Sequence, residues 1–251
     1  PLAISSVGTV KRCTFMHSTI VASLLQPFVV MVIEVTKRSE QAVIQDSLFV
    51  NNTILLDGGG GGTSTFAGKT TDGRRFGPPR GVSPPAPGLT ELKLPALILA
   101  YQSLAIKGCT FSGNNGTLLG TRSYTLLNIE GTLVAENRHH DSPLLALQSF
   151  HQFENVNFEK NTGSGAMIMI EAPVVGESFA SIENIIDATR FIANTIRGDH
   201  GDVGLIVSSA SVNLVDTYFD GNTVVLAGSA FGGVVVQLGQ VLVVSNCSLH
   251  R

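Results

Sequence analysis

The chain has 251 residues, enough to bury a sizeable core in one domain or along an array of repeats. Hydrophobic residues make up 43% and charged residues only 14%, with a net charge of -3 and no run of Lys and Arg long enough to follow a phosphate backbone, which disfavours nucleic-acid binding. The most apolar stretch, residues 20–33, is interrupted by Gln26-Pro27 and falls short of the roughly 20 residues that cross a bilayer, so no membrane span is expected.

In chain order, the first patterned segment is KRCTFMHS (11–18), and FVVMVIEV (28–35) follows it. QDSLFVNN (45–52) repeats the first pattern. Residues 57–95 then read as a Gly- and Pro-rich loop with no apolar period, extruded from the repeat. LPALILA (94–100), KGCTFSGN (107–114), YTLLNI (124–129), EGTLVAEN (130–137), PLLALQ (143–148), ENVNFEKN (154–161), GAMIMIE (165–171), DATRFIAN (187–194), GLIVSS (204–209), VDTYFDGN (215–222) and GGVVVQL (232–238) alternate from there. SNCSLHR (245–251) closes the chain.

Eight segments therefore share a kernel of a small or β-branched residue, any residue, Phe, two variable residues and Asn. Its aromatic column is Phe15, Phe49, Phe111, Val134, Phe158, Phe191, Phe219 and Leu249. Five residues earlier stand Val10, Ile44, Ile106, Ile129, Phe153, Ile186, Leu214 and Val244. Two residues before the aromatic come Cys13, Ser47, Cys109, Thr132, Val156, Thr189, Thr217 and Cys247, and three after it Ser18, Asn52, Asn114, Asn137, Asn161, Asn194 and Asn222. One interval between aromatics is 62 residues, and taking the 39-residue loop out of it leaves 23, the length of the shortest coil.

Runs this short, rich in β-branched residues and bounded by Gly, Pro or polar residues are strands, and no segment keeps a helical period. A unit of two or three short strands repeated eight times predicts an all-β fold: a right-handed parallel β-helix of about seven to eight coils, one domain over 1–251 and a section of a larger protein or assembly. The Phe column is expected to stack inside. The Asn column is expected at a left-handed bend, with amides laddered from coil to coil.

The alternating elements resemble the F-x-x-N repeats of chlamydial polymorphic outer-membrane proteins and related repeats of eukaryotic surface proteins. Gly232-Gly233-Val234 matches that family's G-G-[AVI] element, and Ser164-Gly165-Ala166 and Val203-Gly204-Leu205 match it loosely. The resemblance covers residues 10–251 apart from the loop and implies an exported, adhesive β-helix at a cell surface. No amphipathic barrel strands follow the repeats in this sequence, so the autotransporter half of that picture is unsupported.

The sequence offers no catalytic constellation and no cofactor motif. Enzymes on β-helices gather carboxylates on one strand face, and the strands read here carry few, with Glu34 and Glu171 closing two of them. A non-catalytic extracellular or cell-surface scaffold for adhesion or assembly is the leading reading; a carbohydrate-active enzyme (polysaccharide lyase or glycoside hydrolase) on the same fold is one alternative, and a subunit section of a large filament or membrane complex is another. His139, His140 and Asp141 in one loop, and Asp199, His200 and Asp202 in another, emerge on one side two coils apart as candidate metal ligands. Solvated turns are the commoner outcome for such loops. Asn51, Asn115 and Asn246 head glycosylation sequons. The cysteines, two or more coils apart, are expected as buried free thiols. The expected partners are other chains or further coils covering the two ends, with glycans as a further class.

Overall fold

The computed structural model describes residues 2–4, 8–23, 31–33, 41–57, 96–100, 103–121, 126–140, 142–147, 151–172, 184–238 and 241–250. These residues form strands and no helix. Three parallel sheets of eight strands each run the length of the molecule, and every coil contributes one strand to each in turn. The first sheet runs from Leu2–Ile4 to Phe231–Gln237, the second from Thr9–Lys11 to Leu242–Ser245, and the third from Thr14–Met16 to Ser248–Leu249. The fold is a parallel β-helix of eight coils, with the kernel residues in register from coil to coil.

A fourth sheet was not legible in the sequence. It lies after the Asn column, as Arg138–His139, Thr162–Ser164, Thr195–Gly198 and Thr223–Leu226, and as the pair Thr19–Ser23 with Thr53–Asp57. Asn115 links the two parts by bridging Thr53 and Arg138. Each of these strands is two to five residues long, too short to show a period of two. Asp57 ends a paired strand instead of opening the loop, and residues 58–95 lie outside the described residues. A second correction concerns YTLLNI (124–129). Leu127–Glu130 belongs to the second sheet, and the first-sheet strand of that coil is Thr117–Thr121. The apolar TLLG of that strand is masked in the sequence by the turn signal Asn115-Gly116 just before it.

The second and third sheets alternate. Ile44, Ile106, Ile129, Phe153, Ile186 and Leu214 point inward and are at most 4% exposed. The first sheet reads as continuous apolar runs because both its faces are buried. Ile98, Leu119, Leu145, Ile168, Ile206 and Val235 line up on the core side. Leu99, Ala146, Val207 and Val236 on the opposite side are at most 5% exposed.

The Phe column stacks as its spacing requires. Ring centroids lie 4.8 Å apart for Phe15 and Phe49, 4.7 Å for Phe49 and Phe111, and 4.9 Å for Phe158, Phe191 and Phe219, with planes within 10° of parallel. These separations equal the strand spacing of about 4.8 Å, so backbone pairing sets the ring geometry. Val134 breaks the stack, and Leu118, Leu119 and Leu145 close around it to leave an interior void of about 10 Å³.

Two left-handed corners punctuate each coil. One falls between the second and third sheets at Arg12, Asp46, Gly108, Gly131, Asn155, Ala188, Asp216 and Asn246, with φ from 46° to 58°. The other falls at His17, Asn51, Gly113, Glu136, Lys160, Ala193 and Gly221, with φ from 51° to 65°. The bend is thus one residue before the Asn column, and the Asn side chain is turned inward. Its amide reaches the neighbouring coils only from that inner position.

Candidate functional site

The Asn side chains form a continuous internal ladder. The Asn161 Nδ2 donates to the Val134 carbonyl at 2.8 Å and to Asn194 Oδ1 at 3.0 Å, while its Oδ1 accepts from the N–H and the Nδ2 of Asn137 at 3.0 Å each. The same four bonds recur at Asn114, Asn137 and Asn194, and three of them at Asn52. Ser18 replaces Asn at the start, where its N–H donates to Asn52 Oδ1 at 3.1 Å. The ladder satisfies every side-chain bond of a buried amide and holds the non-Gly residues of the adjacent corner at positive φ.

A second ladder closes the other corner. The hydroxyls of Ser47, Thr132, Thr189 and Thr217 donate to the carbonyl two residues earlier at 2.9–3.0 Å. The thiols of Cys13, Cys109 and Cys247 do the same at 3.3–3.5 Å. The cysteines are free, and they serve as weak donors at the corner as well as small apolar groups. Only Cys109 is fully buried, and its burial pushes the thiol pKa up. Cys13 and Cys247 sit on the end coils and are half-buried, which corrects the expectation of three buried thiols.

The loop following Asn137 is not the solvated turn that its polarity suggested. Arg138 and His140 are exposed, but the His139 ring between them turns inward and is 0% exposed. Its Nδ1 lies 3.0 Å from the Ser142 carbonyl, and its Nε2 is buried without a hydrogen-bond partner. The ring fits because Gly163 faces it in the next coil, where a Cβ would lie 2.2 Å from its Cδ2. Burial holds the His139 pKa down at about 4. At Asp199–Asp202 the turn is solvated: Asp199 and His200 are exposed, 3.7 Å apart, and His200 Nδ1 lies 3.1 Å from Ser229 Oγ. Among the described residues no three His, Cys, Asp or Glu side chains come within reach of one ion, so the six metal candidates are not brought together; Asp141 lies outside the described residues.

The outer face of the second sheet holds what the sequence reading missed. Lys107, Glu130, Glu154 and Asp187 stand in register on four adjacent strands. Lys107 Nζ contacts Glu130 Oε2 at 2.8 Å, and Asn128 and Gln152 flank them around a shallow depression of about 210 Å³. This corrects the expectation that the strands carry few carboxylates. Each of the four is the last residue of its strand, with its side chain on the outer face. Glu34 lies outside the described residues, and Glu171 is half-buried just past its strand, where burial raises its pKa. Of the sequons, Asn51 and Asn246 are exposed on left-handed corners and Asn115 is half-buried in the fourth-sheet bridge.

The last coil presents its interior. Val244 and Leu249, which continue the two core columns, are 57% and 68% exposed. The same columns are at most 5% exposed from Ile44 and Phe49 through Leu214 and Phe219.

These features define a parallel β-helix whose regularity comes from two internal side-chain ladders. No family model, no curated protein and no solved structure matches the chain.

Proposed function

We propose that the chain is a non-catalytic β-helix scaffold of the extracellular space or cell surface, built to adhere to or assemble with other chains. The regularity of the stack carries this reading: the Asn ladder and the stacked Phe column lock each coil onto the next in one register, which is the build of a rigid scaffold. The exposed sequon corners at Asn51 and Asn246 suit a secreted protein, and the chlamydial-type F-x-x-N resemblance points the same way. No helix among the described residues is long and apolar enough to cross a membrane.

Sedimentation of the chain, with glycan mapping at Asn51 and Asn246 of the secreted protein, tests the reading. Concentration-dependent association and occupied sequons support it. A stable monomer with both sequons bare contradicts it.

The in-register Lys107, Glu130, Glu154 and Asp187 favour a second reading, a carbohydrate-binding or carbohydrate-active face on the second sheet. Cleavage of any polysaccharide in a panel of acidic and neutral glycans, lost in Glu130→Gln and Glu154→Gln, selects this reading over the scaffold.

A further inference from the structure

The fourth sheet is thin at one place. In the third coil its strand is reduced to Asn115, which bridges Thr53 and Arg138. Arg138–His139 is a two-residue strand whose only full strand partner is Thr162–Ser164. At this point the chain inserts a histidine into the interior. A carbonyl only accepts, so the 3.0 Å contact with Ser142 places the hydrogen on Nδ1 and leaves Nε2 as a bare lone pair. That atom faces Gly163 with no partner.

Among the described residues around the ring, none carries a negative charge that could balance an imidazolium. The coil before supplies Asn114, Asn115, Gly116 and Thr117, and the coil after supplies Asn161, Thr162, Gly163 and Ser164. On its own strand Arg138 and His140 are exposed and cationic or titratable, and the charge of His140 opposes protonation of His139. The turn beyond is pinned by few bonds. Thr117 Oγ1 lies 3.0 Å from Ser142 Oγ and donates to the Pro143 carbonyl at 2.9 Å, Ser142 Oγ donates to the His140 carbonyl at 3.4 Å, the Leu118 N–H donates to the Leu144 carbonyl at 2.9 Å, and the His139–Ser142 contact adds to these.

We propose that His139 is an acid-released latch on the fourth sheet. A proton from solvent on Nε2 creates a donor with no acceptor and a charge with no counter-ion, so the imidazolium leaves the interior. Arg138–His139 then peels from Thr162–Ser164 while the three long sheets stay paired. The result is a free strand edge on the flank of the coil, open to pairing with another chain.

The sign follows from the two states. In the open state the ring has its ordinary pKa of 6.5, and in the closed state burial holds it at about 4. Above pH 6.5 neither state binds the proton and the latch is fully closed. As the pH falls from 6.5 to 4 only the open state gains it, so opening grows about 30-fold by pH 5 and about 300-fold at the limit.

Two measurements on the full chain decide the matter. Proton NMR of the His139 ring resonances should show it titrating near 4. Amide exchange, corrected for intrinsic rates, should lose protection at 138–139 and 162–164 between pH 7 and pH 5 while Phe158 and Phe191 keep theirs. His139→Gln should remove that pH dependence. A His139 titration near 6.5, or an equal loss of protection in His139→Gln, overturns the proposal. The ring titration on the unaltered chain decides even where the variant fails to fold.

Discussion

Replacing Asn161 by Ala removes four side-chain hydrogen bonds from the centre of the ladder. Three groups lose a partner: the Asn137 N–H, one Asn137 Nδ2 hydrogen and the Val134 carbonyl. Asn194 Oδ1 keeps its bond from the backbone N–H of residue 161. Asn137 is 0% exposed, so water cannot substitute. At about 1–3 kcal/mol per stranded buried group, and allowing for relaxation, the loss should be roughly 3–6 kcal/mol. Asn222→Ala strands an equivalent set, since its Oδ1 accepts from the N–H and Nδ2 of Asn194 and its Nδ2 donates to the Phe191 carbonyl. Asn222 is only half-buried, however, and water can reach the vacated place. The loss there should be about 1–2 kcal/mol. Chemical denaturation followed by amide exchange reads both, because a solenoid can lose coils separately. A cost below about 1 kcal/mol for Asn161→Ala, or equal costs at the two positions, would show that the ladder accompanies the fold without stabilising it.

Phe158→Ala should cost about 3–5 kcal/mol by denaturation, since the ring is 0% exposed and stacked on Phe191 at 4.9 Å. Val134→Phe restores the repeat's consensus yet should destabilise by about 1–3 kcal/mol, because the void of about 10 Å³ beside Val134 cannot take a ring; a gain in melting temperature would refute this. Gly163→Ala should destabilise on its own and much less in a His139→Ala background, the coupling showing that the ring and the missing Cβ share one space. Alkylation of the native chain should label Cys13 and Cys247 well before Cys109, and unfolding without reductant should expose all three.

The sequence made the core legible because the kernel repeats side chains whose environments are identical in every coil. Phe, the apolar residue before it and Asn each occupy one slot, and eight repetitions reveal the slots. What escaped was whatever one coil does alone. The strand Arg138–His139 is two residues long and the inward turn of His139 depends on Gly163, a residue 24 positions away in sequence. Nothing in the local pattern of 136–141 separates that arrangement from a solvated turn. The carboxylate row escaped for a related reason: Glu130, Glu154 and Asp187 sit at a strand-to-corner junction, and only the register shows that they share a face.

That register is the claim on which the ladders, the stacked rings and the exposed end coil all depend. Engineered disulfides test it most directly. Arg138 and Thr162 are exposed and paired in register on adjacent coils, whereas Thr195 is paired with Thr162 one coil further on. Adjacent coils place Cα atoms about 4.8 Å apart, within bridging range, and alternate coils about 10 Å apart, beyond it. The account predicts that Arg138→Cys with Thr162→Cys oxidises to a single mapped crosslink and that Arg138→Cys with Thr195→Cys does not. A crosslink between positions 138 and 195, or none between 138 and 162, would contradict the stacking of one coil on the next.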